Sequence, residues 1–239
     1  MSISGSRVLI VGGTSGIGLA VATAVVERGA TPIVASRRPA SVDTALAALP
    51  EKAEGATVDL TDEASVMALV QQHAPLDHVV YTAGEPLELV PLRDLTPDIV
   101  RSFFETRFLG AIAVVRAVAP LLRAGASITL TSGTAGDRPG AGWALGASVC
   151  GAMSALTRAL AVELAPVRVN AVAPGVVRSP LWAGMSEQDR AAMYDDVAAA
   201  TPLGRVAEVE DVALAYVYAM QQVHGTGIVI TVDGGTVLA

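Results

Sequence analysis

The sequence predicts a single α/β domain, doubly wound around a seven-stranded parallel sheet. Three observations carry this. Short β-branched runs alternate with Ala/Leu-rich segments of helical period from one end of the chain to the other. Strand candidates such as Val8–Val11 (VLIV) are apolar without interruption, the mark of burial on both faces. A glycine-rich turn, VGGTSGIG at 11–18, joins the first strand to the first helix. With 239 residues, 52% of them hydrophobic, the chain can bury a large core and is not disordered.

The first strand is Arg7–Gly12, and a helix over about 17–28 follows the glycine turn. Thr31–Ser36 is the second strand, before a helix over 42–49; Ala56–Asp59 is the third, before 62–73. His78–Thr82, again apolar at its centre, leads into a long helical pattern over 97–122. That helix opens on Thr96-Pro97-Asp98: a cap, a proline at the first helical position and an acid in the first turn. Ser127–Ser132 precedes the helix over 144–165, which Pro166 ends. Arg168–Ala173, a helix over 207–222 and Ile228–Val232 complete the chain, and Asp233-Gly234-Gly235 closes the last strand. Right-handed βαβ crossovers then give the strand order 3-2-1-4-5-6-7. No repeat or linker divides residues 1–239. The longest stretch without a strand, 178–206, mixes Leu181, Trp182, Met185, Met193 and Tyr194 with acids. It suits either an adaptable apolar lid near 178–200 or two surface helices packed down on their apolar faces.

Composition narrows the function. A net charge of −7 argues against nucleic acid as a partner, because no basic patch offsets phosphate repulsion. The lone Cys150 excludes an internal disulfide and fits a cytoplasmic setting. One cysteine and three scattered histidines give no metal-ligand spacing, so no metal site is expected. Gly, Pro or charge interrupts every apolar run, so no membrane span is expected, and the first residues enter a strand without a signal-peptide pattern. A small-molecule substrate remains.

Gly12, Gly16 and Gly18, with Thr14, Ser15 and Ile17 between them, stand where a Rossmann-type fold binds dinucleotide phosphates. The backbone must turn tightly and approach the pyrophosphate there, and the helix N-terminus offers free N–H groups to it. After the second strand the chain reads Ser36-Arg37-Arg38, with no acid for ribose hydroxyls and two guanidiniums for a 2′-phosphate. The expected cofactor is therefore NADP(H). Asp59, ending the third strand, is placed to hydrogen-bond the adenine, and Leu60 follows it in the cofactor site.

These motifs resemble the short-chain dehydrogenase/reductase family over nearly the whole chain. The spacing GxxxGxG is that family's, and Ala83-Gly84 matches its NAG motif with Thr82 in place of Asn. The segment 155–181 looks like the family's helix–strand–PG stretch. By that resemblance Pro174-Gly175 borders the nicotinamide, Val177 lies in the same segment, and Ser179 contacts the carboxamide. PLGR at 202–205 and TG…VDGG at 226–235 also match. Typical members use Asn, Ser, Tyr and Lys. Here Ser132 matches the serine, while Arg107 falls at the Asn position, Gly146 at Tyr and Cys150 at Lys. Residues 130–170 contain neither tyrosine nor lysine.

The reading that keeps redox chemistry makes the chain an NADPH-dependent reductase of a ketone, imine or iminium. Arg107 and Ser132 would polarise the substrate, with Asp137 of the loop GDRPG as an acid or anion clamp. An iminium accepts hydride without a proton donor. A non-redox enzyme, for example one assisting a cyclisation, and an NADP(H)-binding sensor are the alternatives. Arg138, Trp143, Gly146, Trp182 and Met185 are the candidate substrate pocket. Gly146 either leaves the tyrosine volume empty or belongs to a small-residue helix face with Ala147, Gly151, Ala152 and Ala155. Such a face suits the helix pairing common in the family, so a homodimer or homotetramer is expected. Cys150 reads as a small buried hydrophobe rather than a nucleophile.

Overall fold

The structure, a computed structural model, describes residues 2–239. Seven parallel strands form its sheet: β1 (Arg7–Val11), β2 (Thr31–Ser36), β3 (Glu54–Thr57), β4 (His78–Tyr81), β5 (Ser127–Thr131), β6 (Arg168–Pro174) and β9 (Val229–Val232). Their order is β3-β2-β1-β4-β5-β6-β9, as the alternation requires. Alternate residues feed two apolar layers. Leu9, Val11, Val79, Ile128 and Leu130 pack on one face beneath α3 (Glu63–His73), α5 (Gly110–Val118) and α6 (Ala144–Glu163). Val8, Ile10, Val34, Val80 and Val172 pack on the other beneath α1 (Gly16–Glu27), α2 (Pro39–Ala48) and α8 (Val209–Gln221). The order reverses between β1 and β4, which opens a crevice at the strands' carboxyl ends.

Several boundaries differ from the sequence reading, each for a local reason. The third strand spans Glu54–Thr57 rather than Ala56–Asp59. Glu54 is tied to Arg7 at 2.6 Å, and the Asp59 carboxylate folds forward onto the Thr61 amide and hydroxyl, turning the chain out of the ladder. The predicted 97–122 helix is broken. Thr96 and Pro97 start α4 (Pro97–Phe104) as expected, with the Thr96 hydroxyl accepting from the Ile99 amide. One turn of π-helix, Glu105–Leu109, then intervenes before α5. The Tyr81 hydroxyl donates to the Thr106 carbonyl, and Gly110 packs beneath that hydroxyl, where a Cβ would lie 2.6 Å from it. A carbonyl diverted from the helix ladder widens the turn.

The excursion read as strandless is gathered at its neck. Two-residue strands β7 (Val177–Arg178) and β8 (Ala207–Glu208) pair in parallel and bracket α7 (Glu187–Ala200). Among the described residues one helix, α6, is long and apolar enough by length and composition to cross a bilayer, a test that helices covering a sheet also pass. Its inward residues Val149, Met153, Thr157 and Ala161 are buried, as for a helix covering a sheet.

Candidate active site

The carboxyl ends of β1, β2, β4, β5 and β6 open into a cavity of about 990 Å³, ample for a dinucleotide and a substrate together. At one end lies the glycine turn. Gly12 has φ +85°, and a Cβ there would lie 2.6–2.8 Å from the backbone of Thr82 and Ala83. A Cβ on Gly18 would meet the Thr82 hydroxyl at 2.6 Å. These two glycines let the turn sit against the exit of β4. Gly16, at φ +51°, instead faces the cavity, with Ser179 and Pro180 opposite. Ser15 precedes α1 without a side-chain cap, so the amides of the first turn are left for an anion. Thr14 and Ile17 line the same wall.

Ser36, Arg37 and Arg38 form the next stretch of lining, and both guanidiniums are exposed at its rim. Asp59 and Leu60 stand beside them. Asp59 accepts from the Thr61 hydroxyl at 2.7 Å and amide at 2.9 Å; these bonds, then the Arg37 charge, hold its carboxyl below the usual range. This cradle of backbone amides with two free cations fits a phosphorylated dinucleotide. Ala83, Gly84, Pro174, Gly175, Val177 and Ser179 continue the lining toward the other end.

That end is governed by Arg107, which the π turn aims into the cavity. Its side chain is only 13% exposed. Its guanidinium donates to the Glu85 carbonyl, lies 4.2 Å over the Phe103 ring and approaches the Glu85 carboxylate at 3.7 Å. Burial lowers the Arg107 pKa, and the Glu85 charge opposes that shift. Glu85 itself accepts from the Thr106 hydroxyl at 2.7 Å, while its Oε2 is buried without a hydrogen-bond partner. Sequence reading missed Glu85. Its signal was an acid directly after the Ala83-Gly84 motif at a strand exit.

Ser132 lines the cavity just beyond β5, but its hydroxyl is turned to α6. It donates to the Cys150 carbonyl at 2.8 Å and shares a 2.9 Å bond with Ser154. Cys150 is pushed up to about 11 by burial, with Asp137 adding to the rise against the Gly136 amide and Arg107. It is a poor nucleophile at neutral pH. Gly146 lines the cavity, and a Cβ there would meet only Trp143, at 3.4 Å.

No tyrosine is free to serve this end. Tyr81 lines the cavity, yet its hydroxyl is spent on Thr106 and burial pushes its pKa far up. Tyr216 shares a 2.6 Å bond with Thr131, Tyr194 lies under the Arg178 guanidinium, and Tyr218 is exposed beside Gln222. Lys52, the one lysine, donates to the Val26 carbonyl and does not line the cavity.

Trp143 and Trp182 both line the cavity, edge to face with centroids 6.1 Å apart. Arg138 lines the cavity and donates to the Thr236 carbonyl, so the C-terminal turn, Thr236 and Val237 included, forms part of the wall. Met185 packs behind Trp182 in a satellite cluster and does not line the cavity. Asp137 is exposed and outside the lining, although its charge reaches Cys150.

A family model, the SDR-like Rossmann domain, matches residues 2–239. The short-chain dehydrogenase/reductase malC of Malbranchea aurantiaca is 33% identical over 99% of this chain and 96% of its own. The structure of MalC reductase/Diels-Alderase from that organism superposes with a TM-score of 0.92, covering 99% of this chain and 98% of that one. A small-chain dehydrogenase in complex with NADPH, 33% identical, gives 0.85 over 99% of this chain and all of its own. An NADPH-bound short-chain oxidoreductase from Pseudomonas aeruginosa PAO1, described as containing an atypical catalytic center, gives 0.89 at 26% identity, covering 96% of each chain.

Proposed function

The chain belongs to the short-chain dehydrogenase/reductase family, and from that premise we propose that it is an NADPH-dependent reductase whose reacting centre works without the family's Tyr and Lys. The observation that carries this reading is the exchange at one end of the cavity. Gly146 and Cys150 stand where Tyr and Lys are expected, every tyrosine is engaged elsewhere, and Arg107 is the buried cation that remains. The NADPH complexes among similar structures support the cofactor, as do the glycine cradle and the Arg37–Arg38 pair. A 2′-phosphate would be gripped by those two guanidiniums, with Asp59 beside the adenine. The nicotinamide, when bound beside Pro174-Gly175, supplies hydride.

The chain's own residues then bind and orient. Arg107, dehydrated and fixed on Phe103, presents its remaining N–H groups to a carbonyl or imine. Ser132 joins by turning its hydroxyl away from the Cys150 carbonyl. Neither group is a good acid at neutral pH. A ketone or a neutral imine must therefore draw its proton from water or a nearby acid, whereas an iminium needs none, which favours iminium substrates. The excursion held at the β7–β8 neck acts as a lid, with Trp182 and Trp143 excluding water from the apolar side. Asp137, outside the cavity lining, would have to move to take part.

A second reading, assistance to a cyclisation without redox, is favoured by the open volume at Gly146 and by the reductase/Diels-Alderase description of the MalC structure. A homodimer or homotetramer is supported by exposed Ile99, Leu109 and Ile112, and by Gly151, where a Cβ would meet nothing within 4 Å. The test is NADPH oxidation with a panel of ketones and cyclic imines on wild type and Arg107→Ala. The reductase reading expects turnover that falls about 10²–10³-fold in the variant. Tight NADPH binding with no oxidation of any panel member favours the non-redox reading.

A further inference from the structure

Arg107 poses a problem for the substrate just favoured. A lone, largely dehydrated guanidinium repels an iminium, and the low dielectric of a closed cavity strengthens that repulsion. The structure contains the answer beside it. We propose that Glu85 is the specificity-determining residue of this site, setting the substrate charge it accepts by cancelling Arg107. The inference rests on the reductase reading above and names the substrate class: a cationic cyclic imine in preference to the neutral ketone of the same shape.

Three observations carry it. Glu85 and Arg107 form a local pair, held by the Glu85 carbonyl as well as its carboxylate, so the reacting end is close to electroneutral. The other acids lining the cavity stand elsewhere: Asp59 at the Arg37 rim and Asp196 on α7 of the lid. Glu85 thus supplies the negative charge at the exit of β4. Its Oε2 has no hydrogen-bond donor, and the ion pair is left open at 3.7 Å rather than closed. A carboxylate oxygen without a donor is poorly satisfied by so open an ion pair, and with its side chain 44% exposed a positive partner in the cavity can complete it. Phe103 and the Glu85 carbonyl pin Arg107, so the guanidinium is not free to close onto the carboxylate.

The experiment compares N-methyl-3,4-dihydroisoquinolinium, a permanent cation without an N–H, with 1-tetralone, its neutral counterpart of similar shape. In Glu85→Gln the ratio of kcat/KM, iminium over ketone, is expected to fall about 10- to 100-fold. Glu85→Asp keeps the charge and restores most of the ratio. Glu88→Gln, whose carboxylate lies outside the cavity lining, leaves it unchanged. NADPH affinity and melting temperature, measured on every variant, separate misfolding from lost selectivity. A second arm needs no turnover: calorimetry of N,N-dimethyl-tetrahydroisoquinolinium on the NADPH-loaded protein. Its affinity should drop about 10-fold or more in Glu85→Gln, while that of 1-tetralone holds. If wild type reduces neither compound, the reductase reading fails and the binding arm still decides the role of Glu85. An unchanged ratio in Glu85→Gln overturns the inference with the reductase reading intact, and so does a wild type that binds the cation no better than the variant.

Discussion

Replacing Gly12 by alanine puts a Cβ into backbone. The added atom would lie 2.6 Å from the Ala83 amide nitrogen, 2.7 Å from the Thr82 carbonyl carbon and 2.8 Å from the Ala83 Cα. None of these is the end of a flexible side chain, so relief requires β1 and β4 to part at the switch point. The residue also sits at φ +85°, where an L-residue is strained. Left-handed backbone costs roughly 1–2 kcal/mol and overpacking roughly 1–3 kcal/mol, so Gly12→Ala should destabilise by about 2–5 kcal/mol. Gly146→Ala is the control. Its Cβ meets only Trp143, at 3.4 Å, inside a helix where alanine is favoured over glycine by roughly 0.5–1 kcal/mol. Urea unfolding followed by far-UV circular dichroism measures both, and cofactor titration follows on the folded fraction. Gly12→Ala should also lose NADPH affinity, because the same turn carries the phosphate-facing amides. A Gly12→Ala protein within 0.5 kcal/mol of wild type and with unchanged affinity would refute the close-approach reasoning.

Other expectations follow from the same geometry. Arg37→Ala and Arg38→Ala should each weaken NADPH binding by about 10- to 100-fold, in line with roughly 1.5–3 kcal/mol for a charge-assisted bond, and leave NADH binding nearly unchanged in fluorescence titrations. Equal losses for both cofactors would remove the 2′-phosphate role. His78 is 7% exposed, bonded to Ser127 at 2.8 Å, and burial lowers its pKa to about 4 from 6.5. Its neutral form is favoured by folding, so the stability it protects is complete above pH 6.5 and declines as pH falls toward 4, by about 3 kcal/mol. A His78 imidazole resonance, assigned by its loss in His78→Gln, that titrates near pH 6.5 in the native protein would contradict this. Asp211 is held down to about 2, first by the Arg205 guanidinium at 2.6 Å and then by the Glu208 amide. Because the pair is partly exposed, Asp211→Asn should cost only about 0.5–1.5 kcal/mol above pH 4, shrinking as pH falls toward 2.

The sheet was legible because buried parallel strands leave an unambiguous trace: VLIV alternates its side chains into two apolar layers, and only a doubly wound order covers both. The glycine turn was legible because close backbone approach tolerates no Cβ. What sequence could not show depends on tertiary contacts. The break in the 97–122 helix comes from a hydroxyl on Tyr81, 25 residues from the Thr106 carbonyl it captures. The two-residue β7–β8 ladder is too short to leave a pattern. Arg107 was found by its position against a family motif, but its partner Glu85 lies 22 residues away in the irregular segment after β4. Phe103, four residues before Arg107, was recoverable from helical spacing alone. Asp137 and Met185 show the reverse limit, since neighbours in sequence to lining residues do not line the cavity themselves.

The most direct test of the account follows the hydride itself. NADPH deuterated at C4 is incubated with the wild-type protein and a cyclic iminium, and the product is read by mass spectrometry. The reduced product should carry one deuterium, and with a ketone in place of the iminium the transfer should be about 10²–10³-fold slower in Arg107→Ala. Product formed without deuterium from either C4 face, or a ketone reduced as fast by Arg107→Ala as by wild type, would contradict a reductase that works through Arg107.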